Sequence, residues 1–197
     1  MDTARLAKQI QFIVEIDQAK QVLRQNVVIG TKRQENDAEH SWHMAVMAII
    51  LSEYSAVEDL DMLKVLKMAL VHDLVEIYAG DTFCYDEAAK QDKEQREQAA
   101  AERLFSLLPS DQGLEFKELW REFEAQATPE ARFTACLDRL QPLLLNYHTQ
   151  GHTWQKPGVN SSKVLERNHM LKENTPVLWD YAKQVIDDAI KQGYLKL

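Results

Sequence analysis

Apolar residues recur every three or four positions along almost the whole chain, the spacing that lines one face of a helix. The first such segment, about Ala4 to Leu23, places Leu6, Ile10, Ile13 and Val14 on one stripe. A connection follows through Gly30 and Thr31. Asn36 then reads as an N-cap, with Glu39 three residues on completing a capping box. The helix it opens runs to about Tyr54 and offers Ala45, Ile49 and Leu51 to a core. Asp59 or Asp61 opens the next, whose apolar run Met62 to Val71 ends near His72-Asp73. Beyond a loop at Gly80-Asp81, a charged helix is expected from about Glu87 to Leu107. Its Lys90, Asp92, Lys93, Glu94, Arg96 and Glu97 read as a solvated face. Pro109 ends it, and a further helix covers roughly Leu114 to Gln126. Thr128-Pro129 is a strong start signal, Thr as cap and Pro in the first turn; that helix reaches about His148, with a kink expected at Pro142. A loop over Gly151 to Gly158 leads to two last helices, about Ser161 to Lys172 and Pro176 to Gln192. No stretch alternates strictly between β-branched and polar residues. The expectation is an all-α single domain over 1–197, a helical bundle.

Composition changes this picture little. The chain has 197 residues, 45% hydrophobic and 27% charged, enough for a sizeable core. A formal net charge of −8 argues against a groove that tracks a nucleic-acid polymer, which needs clustered Lys and Arg. A small phosphorylated substrate stays compatible, because a local metal outweighs the overall sign. Two cysteines, Cys84 and Cys136, make no disulfide framework and no CxxC, and are expected as reduced thiols. With no signal peptide evident, and with the best apolar run, Met44 to Leu51, too short to span a bilayer, a cytoplasmic protein with no membrane partner is expected.

The candidate chemistry lies in three helices. His72-Asp73 closes one apolar run, His40 lies at the start of an amphipathic segment upstream, and Asp138 lies inside another downstream. Two imidazoles and two carboxylates suit one divalent cation that keeps positions open for water and substrate. Adjacent helical residues point about a hundred degrees apart, so His72 and Asp73 converge on one ion only where the helix ends or bends. If the helix persists one more turn, Glu76 shares their face and is placed to accept a proton from an attacking water. A His-Asp dipeptide alone is almost uninformative. His40 and His43 form a competing pair, and Asp138 inside an apolar helix is costly unless Arg139, another base or a metal neutralises it.

The order His40, His72-Asp73, Asp138 on successive helices resembles the HD-domain superfamily of metal-dependent phosphohydrolases, whose motif residues hold the metal. The stretches Arg33-Gln34-Glu35-Asn36-Asp37-Ala38-Glu39-His40-Ser41, Lys67 to Glu76 and Gly80-Asp81 are similar to the branch containing the 5′-deoxynucleotidases. The similarity covers about 17–148, with the helices of 159–197 expected to pack on that core. The resemblance implies one divalent ion (Mn, Co, Fe or Zn), a homodimer, and hydrolysis of a nucleoside 5′-monophosphate to nucleoside and phosphate. It gives Glu76 the role of assisting the attacking water and sets Asp81 against the substrate near the scissile phosphate, to orient it or protonate the leaving alkoxide. The branch's Arg-Trp pair before the first His is missing; the corresponding stretch has Lys20-Gln21 and Arg24, so Lys20, Arg24 and Arg33 are the phosphate-binding candidates. The leading expectation is a metal-dependent phosphomonoesterase acting on a small phosphorylated molecule, a nucleotide first. The alternatives are a phosphodiesterase or nucleoside triphosphate hydrolase on the same scaffold, or a non-catalytic helical interaction protein. The absence of His between Asp73 and His148 favours one metal.

Overall fold

The capping signals act where the sequence places them. In the computed structural model, which describes residues 3–86, 88–89 and 91–197, Asn36 accepts from the Glu39 amide (2.9 Å) and the Glu39 side chain returns a bond to the Asn36 amide (3.2 Å). That box opens α2 (Asp37–Leu51). Asp61 accepts from the Lys64 amide and starts α3 (Met62–Val71), and Thr128 with Pro129 starts α7 (Pro129–His148). Each motif satisfies amides that the first helical turn otherwise leaves without partners. The remaining helices are α1 (Thr3–Glu15), α4 (Glu76–Ala79), α5 (Lys93–Phe105), α6 (Ser110–Ala125), α8 (Ser161–Asn168), α9 (Leu171–Asn174) and α10 (Pro176–Lys191). The fold class is helical as expected. Glu87 and Lys90, at the expected start of the charged helix, lie outside the described residues.

The region expected to run as helix to Leu23 and then as a connection is built differently. A 3₁₀ segment, Ile16–Gln21, follows α1, and β1 (Leu23–Val27) pairs antiparallel with β2 (Gln34–Asn36) across the Gly30 turn. Strand alternation turns Leu23 outward and Arg24 and Asn26 inward. The ribbon docks on α7, where the Asn26 amide reaches the Pro142 carbonyl (3.4 Å).

The principal core joins α2, α3, α7 and α10 through Met44, Ala48, Val65, Ala69, Phe133, Leu137, Leu140, Trp154 and Ile186. A second cluster gathers Phe12, Val71, Val75, Ala101, Leu104 and Phe105. One expected core face turns outward, and on a second Ile49 does so while Ala45 and Leu51 pack against the core. On α1 the face that meets the protein carries Arg5, Gln9 and Phe12: Arg5 pairs with Asp111, Gln9 bonds Gln112, and Phe12 packs edge-on to Phe116. Leu6, Ile10, Ile13 and Val14 are therefore exposed. On α2, His40, Met44, Met47 and Ala48 point inward, leaving Ile49 exposed. A helix apolar on every side gives no periodic signal for choosing a face.

Gly151 fixes the end of α7. Its amide donates to the Asn146 carbonyl (2.7 Å), and its φ of +78° is one that L side chains rarely adopt. A methyl group there would also run into the Tyr194 carbonyl. Gly151→Ala is expected to lose about 2–4 kcal/mol from strain and overpacking together, read as a lower urea midpoint at unchanged slope. An unaltered midpoint would show that the 193–196 segment yields freely.

Candidate metal centre

Three elements deliver the centre. His40 projects from the first turns of α2, and His72 is the C-cap of α3. After Val71 the chain tightens into i→i+3 turns: Leu74 donates to the Val71 carbonyl (3.1 Å) and Glu76 to the Asp73 carbonyl (2.9 Å). The α-helix ends here, and at that end the side chains of neighbours His72 and Asp73 meet, His72 Nε2 lying 3.1 Å from Asp73 Oδ2. Asp138 comes from the middle of α7, one turn before Pro142, whose ring nitrogen has no hydrogen to give the Asp138 carbonyl.

The four side chains meet. His40 Nε2 lies 3.2 Å from Asp138 Oδ1 and 3.7 Å from Asp73 Oδ2, while His72 Nε2 lies 3.1 Å from Asp73 Oδ2 and 4.0 Å from Asp138 Oδ1. His43 turns aside, its Nδ1 3.2 Å from the Gln141 amide. Arg139 donates to the Ala135 carbonyl (2.9 Å) rather than to Asp138. The bases near Asp138 are instead Arg24 and Arg167, each 3.9 Å away.

The tautomers follow from the outer partners. His72 Nδ1 faces the Ala69 carbonyl (3.1 Å), which can only accept, so Nδ1 carries the hydrogen and the Nε2 lone pair faces the carboxylates. Gln141 donates its amide to Glu35 (2.6 Å), which turns its oxygen to His40 Nδ1 (3.0 Å) and likewise leaves the His40 Nε2 lone pair inward. Lone pairs and carboxylate oxygens at these distances repel unless a cation or proton sits among them. His72 Nε2, both Asp37 oxygens and Glu76 Oε2 are buried without a hydrogen-bond partner among the described residues. His40, His72 and Asp73 offer donor atoms all within 4.8 Å of one another, the spacing of a cation site, and imidazole with carboxylate suits a borderline divalent ion. The donor set fits one such cation.

The electrostatics agree. Burial, then Arg24, pushes His40 down to about 4, so it is a neutral ligand at pH 7. Burial opposes charging His72, yet Asp73 outweighs it and raises the group. Burial also works against the Asp73 and Asp138 carboxylates, but the imidazoles and the neighbouring guanidinium groups hold both below the ordinary range. Around them proton affinity rises: burial lifts Glu35 to about 7 and, with Asp73, lifts Asp37 to about 8 and Glu76 well above its usual value. Too little positive charge is present for so many carboxyl groups. Asp37, Asp73 and Glu76 also approach one another, but Arg24 Nη1, 2.6 Å from Asp73 and 3.7 Å from Asp37, already supplies a charge on that side.

Of the expected phosphate-binding residues, only Arg24 is at the centre. Lys20 pairs with Asp17 on the surface, and Arg33 forks onto Glu39 at 2.9 and 2.8 Å, bracing the capping box. Asp73 and Asp138 open on a cavity of about 750 Å³ also lined by Glu76, Asp81, Phe83, Tyr85, Trp154 and Arg167. Asp81 follows Gly80, whose φ of +77° turns the chain toward it. The expected solvated face of α5 is partly wrong: Lys93 and Glu97, 3.2 Å apart, form a wall of this cavity. Sequence reasoning missed Glu35, Asp37, Gln141 and Arg167. Gln141 had a signal, a polar residue one turn after Asp138 in an apolar helix; Arg167 had none.

The family model described as HD domain matches residues 16–179. The chain belongs to the HD-domain family. A solved HD-type structure from Magnetospirillum magnetotacticum MS-1, reported as a "Predicted metal-dependent phosphohydrolase", is 49% identical with a TM-score of 0.93, over 98% of this chain and 96% of that one. The 5′-deoxynucleotidase HDDC2 of Homo sapiens is 35% identical over 136 residues, 68% of this chain and 65% of the human protein. That of Xenopus laevis is also 35% identical, covering 66% of its length. The chain thus spans a little under two thirds of the length of these two deoxynucleotidases. The HD-domain resemblance read from the motifs is borne out.

In this HD centre, Gln141 holds the His40 ring at Nδ1 and so would tune a donor to the cation. Gln141→Leu is expected to weaken divalent-ion affinity about 10–100-fold, measured by competition with a chelator. Retained affinity would mean that His40 keeps its tautomer without help.

Proposed function

We propose that the chain is a metal-dependent phosphomonoesterase whose cation is held by His40, His72, Asp73 and Asp138. The observation that carries this reading is the convergence of two imidazole lone pairs and two carboxylates at one end of a cavity large enough for a nucleotide. A nucleoside 5′-monophosphate is the first candidate substrate, in keeping with the deoxynucleotidase relatives. When bound, a divalent ion supplies Lewis-acid polarisation of a phosphoryl oxygen and lowers the pKa of the attacking water.

The chain's own residues supply the rest. Glu76, buried beside Asp73 and Asp37, holds a proton more strongly than an exposed carboxylate and is the acceptor from the attacking water. Arg24 sets a guanidinium against the cavity from β1 and meets the phosphoryl charge. Asp81, which burial raises above its ordinary value, lines the same cavity and orients the substrate or protonates the leaving oxygen. Phe83, Tyr85 and Trp154 offer apolar wall for the organic part of the substrate. A homodimer belongs to the same reading, since α1 and α2 expose Leu6, Ile10, Ile13, Trp42 and Ile49, apolar surface that a second copy would bury. No helix among the described residues is long and apolar enough to cross a membrane.

A panel of monophosphates, diesters and triphosphates tests the assignment. Monophosphates should be cleaved, chelation should abolish turnover and added Mn or Co should restore it. Glu76→Gln should lower kcat about 10²–10⁴-fold while metal content stays at wild-type level. Preferential cleavage of diesters, or full activity in Asp138→Ala at unchanged metal content, would refute this reading.

A further inference from the structure

Arg167 lines the cavity without a close ion pair, as does Arg121, which is half exposed and lies 3.9 Å from Glu102. Arg167 sits in the last turn of α8, far in sequence from every motif residue, and lines the same cavity as Asp73, Asp138 and Glu76. The neighbouring basic groups are engaged: Arg24 bonds Asp73 at 2.6 Å, Arg139 donates to the Ala135 carbonyl at 2.9 Å, and Lys93 pairs with Glu97 at 3.2 Å. The Arg167 guanidinium makes no hydrogen bond to any described residue; its nearest charged partner is Asp138 Oδ2, at 3.9 Å. Five N–H donors in a rigid fork are thus left facing a cavity, with the side chain only 32% exposed.

Its place relative to Asp138 gives this a direction. Asp138 Oδ1 faces the imidazoles, at 3.2 Å from His40 Nε2, whereas Oδ2 faces Arg167. The guanidinium therefore lies beside the second oxygen of Asp138, whose first oxygen meets His40. A tetrahedral oxyanion with one oxygen at the cation has others within reach of that fork. Planar bidentate donors match phosphoryl oxygens.

We propose that Arg167 is a phosphate-binding residue of this centre, a second guanidinium beside Arg24 that anchors the phosphoryl group of the substrate. The assignment rests on the phosphomonoesterase reading above. It differs from a purely structural role, in which Arg167 only balances the charge of Asp138. Removing a positive charge beside a metal ligand favours the cation, while removing an oxyanion donor disfavours the anion. The two affinities should move in opposite directions.

The test uses the full chain loaded with Mn. Calorimetry with inorganic phosphate compares wild type, Arg167→Ala and Arg167→Lys, and chelator competition measures cation retention in each. Phosphate affinity should fall about 10–100-fold in Arg167→Ala, the loss of one or two charge-assisted hydrogen bonds, and recover in part in Arg167→Lys. Cation retention should be unchanged or tighter, and KM for the best monophosphate of the panel should rise more than kcat falls. If Arg167→Ala does not fold, Arg167→Gln gives the same comparison with most of the stem kept. Phosphate affinity within twofold of wild type would overturn the proposal, as would parallel loss of cation and phosphate. Wild-type protein that hydrolyses monophosphates beside a variant with undiminished phosphate binding would refute Arg167 alone. Wild-type protein that neither binds phosphate nor hydrolyses any monophosphate would bring down both assignments.

Discussion

An excess of carboxyl groups over positive charge, held at the junction of α2, α3 and α7, is the constraint around which the rest of this protein is arranged. Glu35, Asp37, Asp73, Glu76 and Asp138 all approach Arg24, and burying such a set opposes folding. The apolar packing of Met44, Ala48, Val65, Ala69, Phe133, Leu137 and Leu140 on the same three helices must hold them together against that repulsion. A divalent cation relieves it, so the same charges that cost stability without the ion give the site its affinity.

The centre is graded rather than uniform. At its floor the imidazoles are buried and fixed by acceptors outside the site, the Ala69 carbonyl and the Gln141 oxygen. Gln141 is itself held by Glu35, so a single buried chain of bonds runs from β2 through α7 to α2. Toward the cavity the groups become charged: Asp73 with Arg24, Asp138 with Arg167. In the proposed reading a cation would lie on the inner side and an anion on the outer side of the same two carboxylates. Such an order would suit a reaction at a phosphoryl group, because a metal and the guanidinium groups would then act on different oxygens.

What the sequence made legible was local. The Asn36–Glu39 box, the Asp61 cap and Thr128-Pro129 each act within one turn, so four residues suffice to read them. The motif order His40, His72-Asp73, Asp138 was legible because each donor lies at an end or an interruption of an apolar helix. Faces were not. The stripe on α1 is genuine, yet that helix docks through Arg5, Gln9 and Phe12, and periodicity reports that a face is apolar without saying what covers it. The β1–β2 ribbon escaped notice because five residues and three carry too little alternation to register. That omission hid Arg24, whose inward direction is a consequence of strand geometry. Gln141 and Arg167 belong to contacts about a hundred residues long in sequence, or thirty, and nothing in their immediate neighbours announces them.

The most economical device in the fold is the change of pitch after Val71. Neighbours on a continuing α-helix point about a hundred degrees apart, yet His72 Nε2 and Asp73 Oδ2 come within 3.1 Å of each other where the helix stops. The i→i+3 turns then lead into the short α4, which sets Glu76 against Asp73 and Asp37. Gly80, at a φ of +77°, turns the chain again so that Asp81 lines the cavity. Ten residues thereby bring His72, Asp73, Glu76 and Asp81 to one cavity. The dipeptide His-Asp carries almost no information alone; its meaning comes from the turn that follows it, and the turn is there because the helix stops.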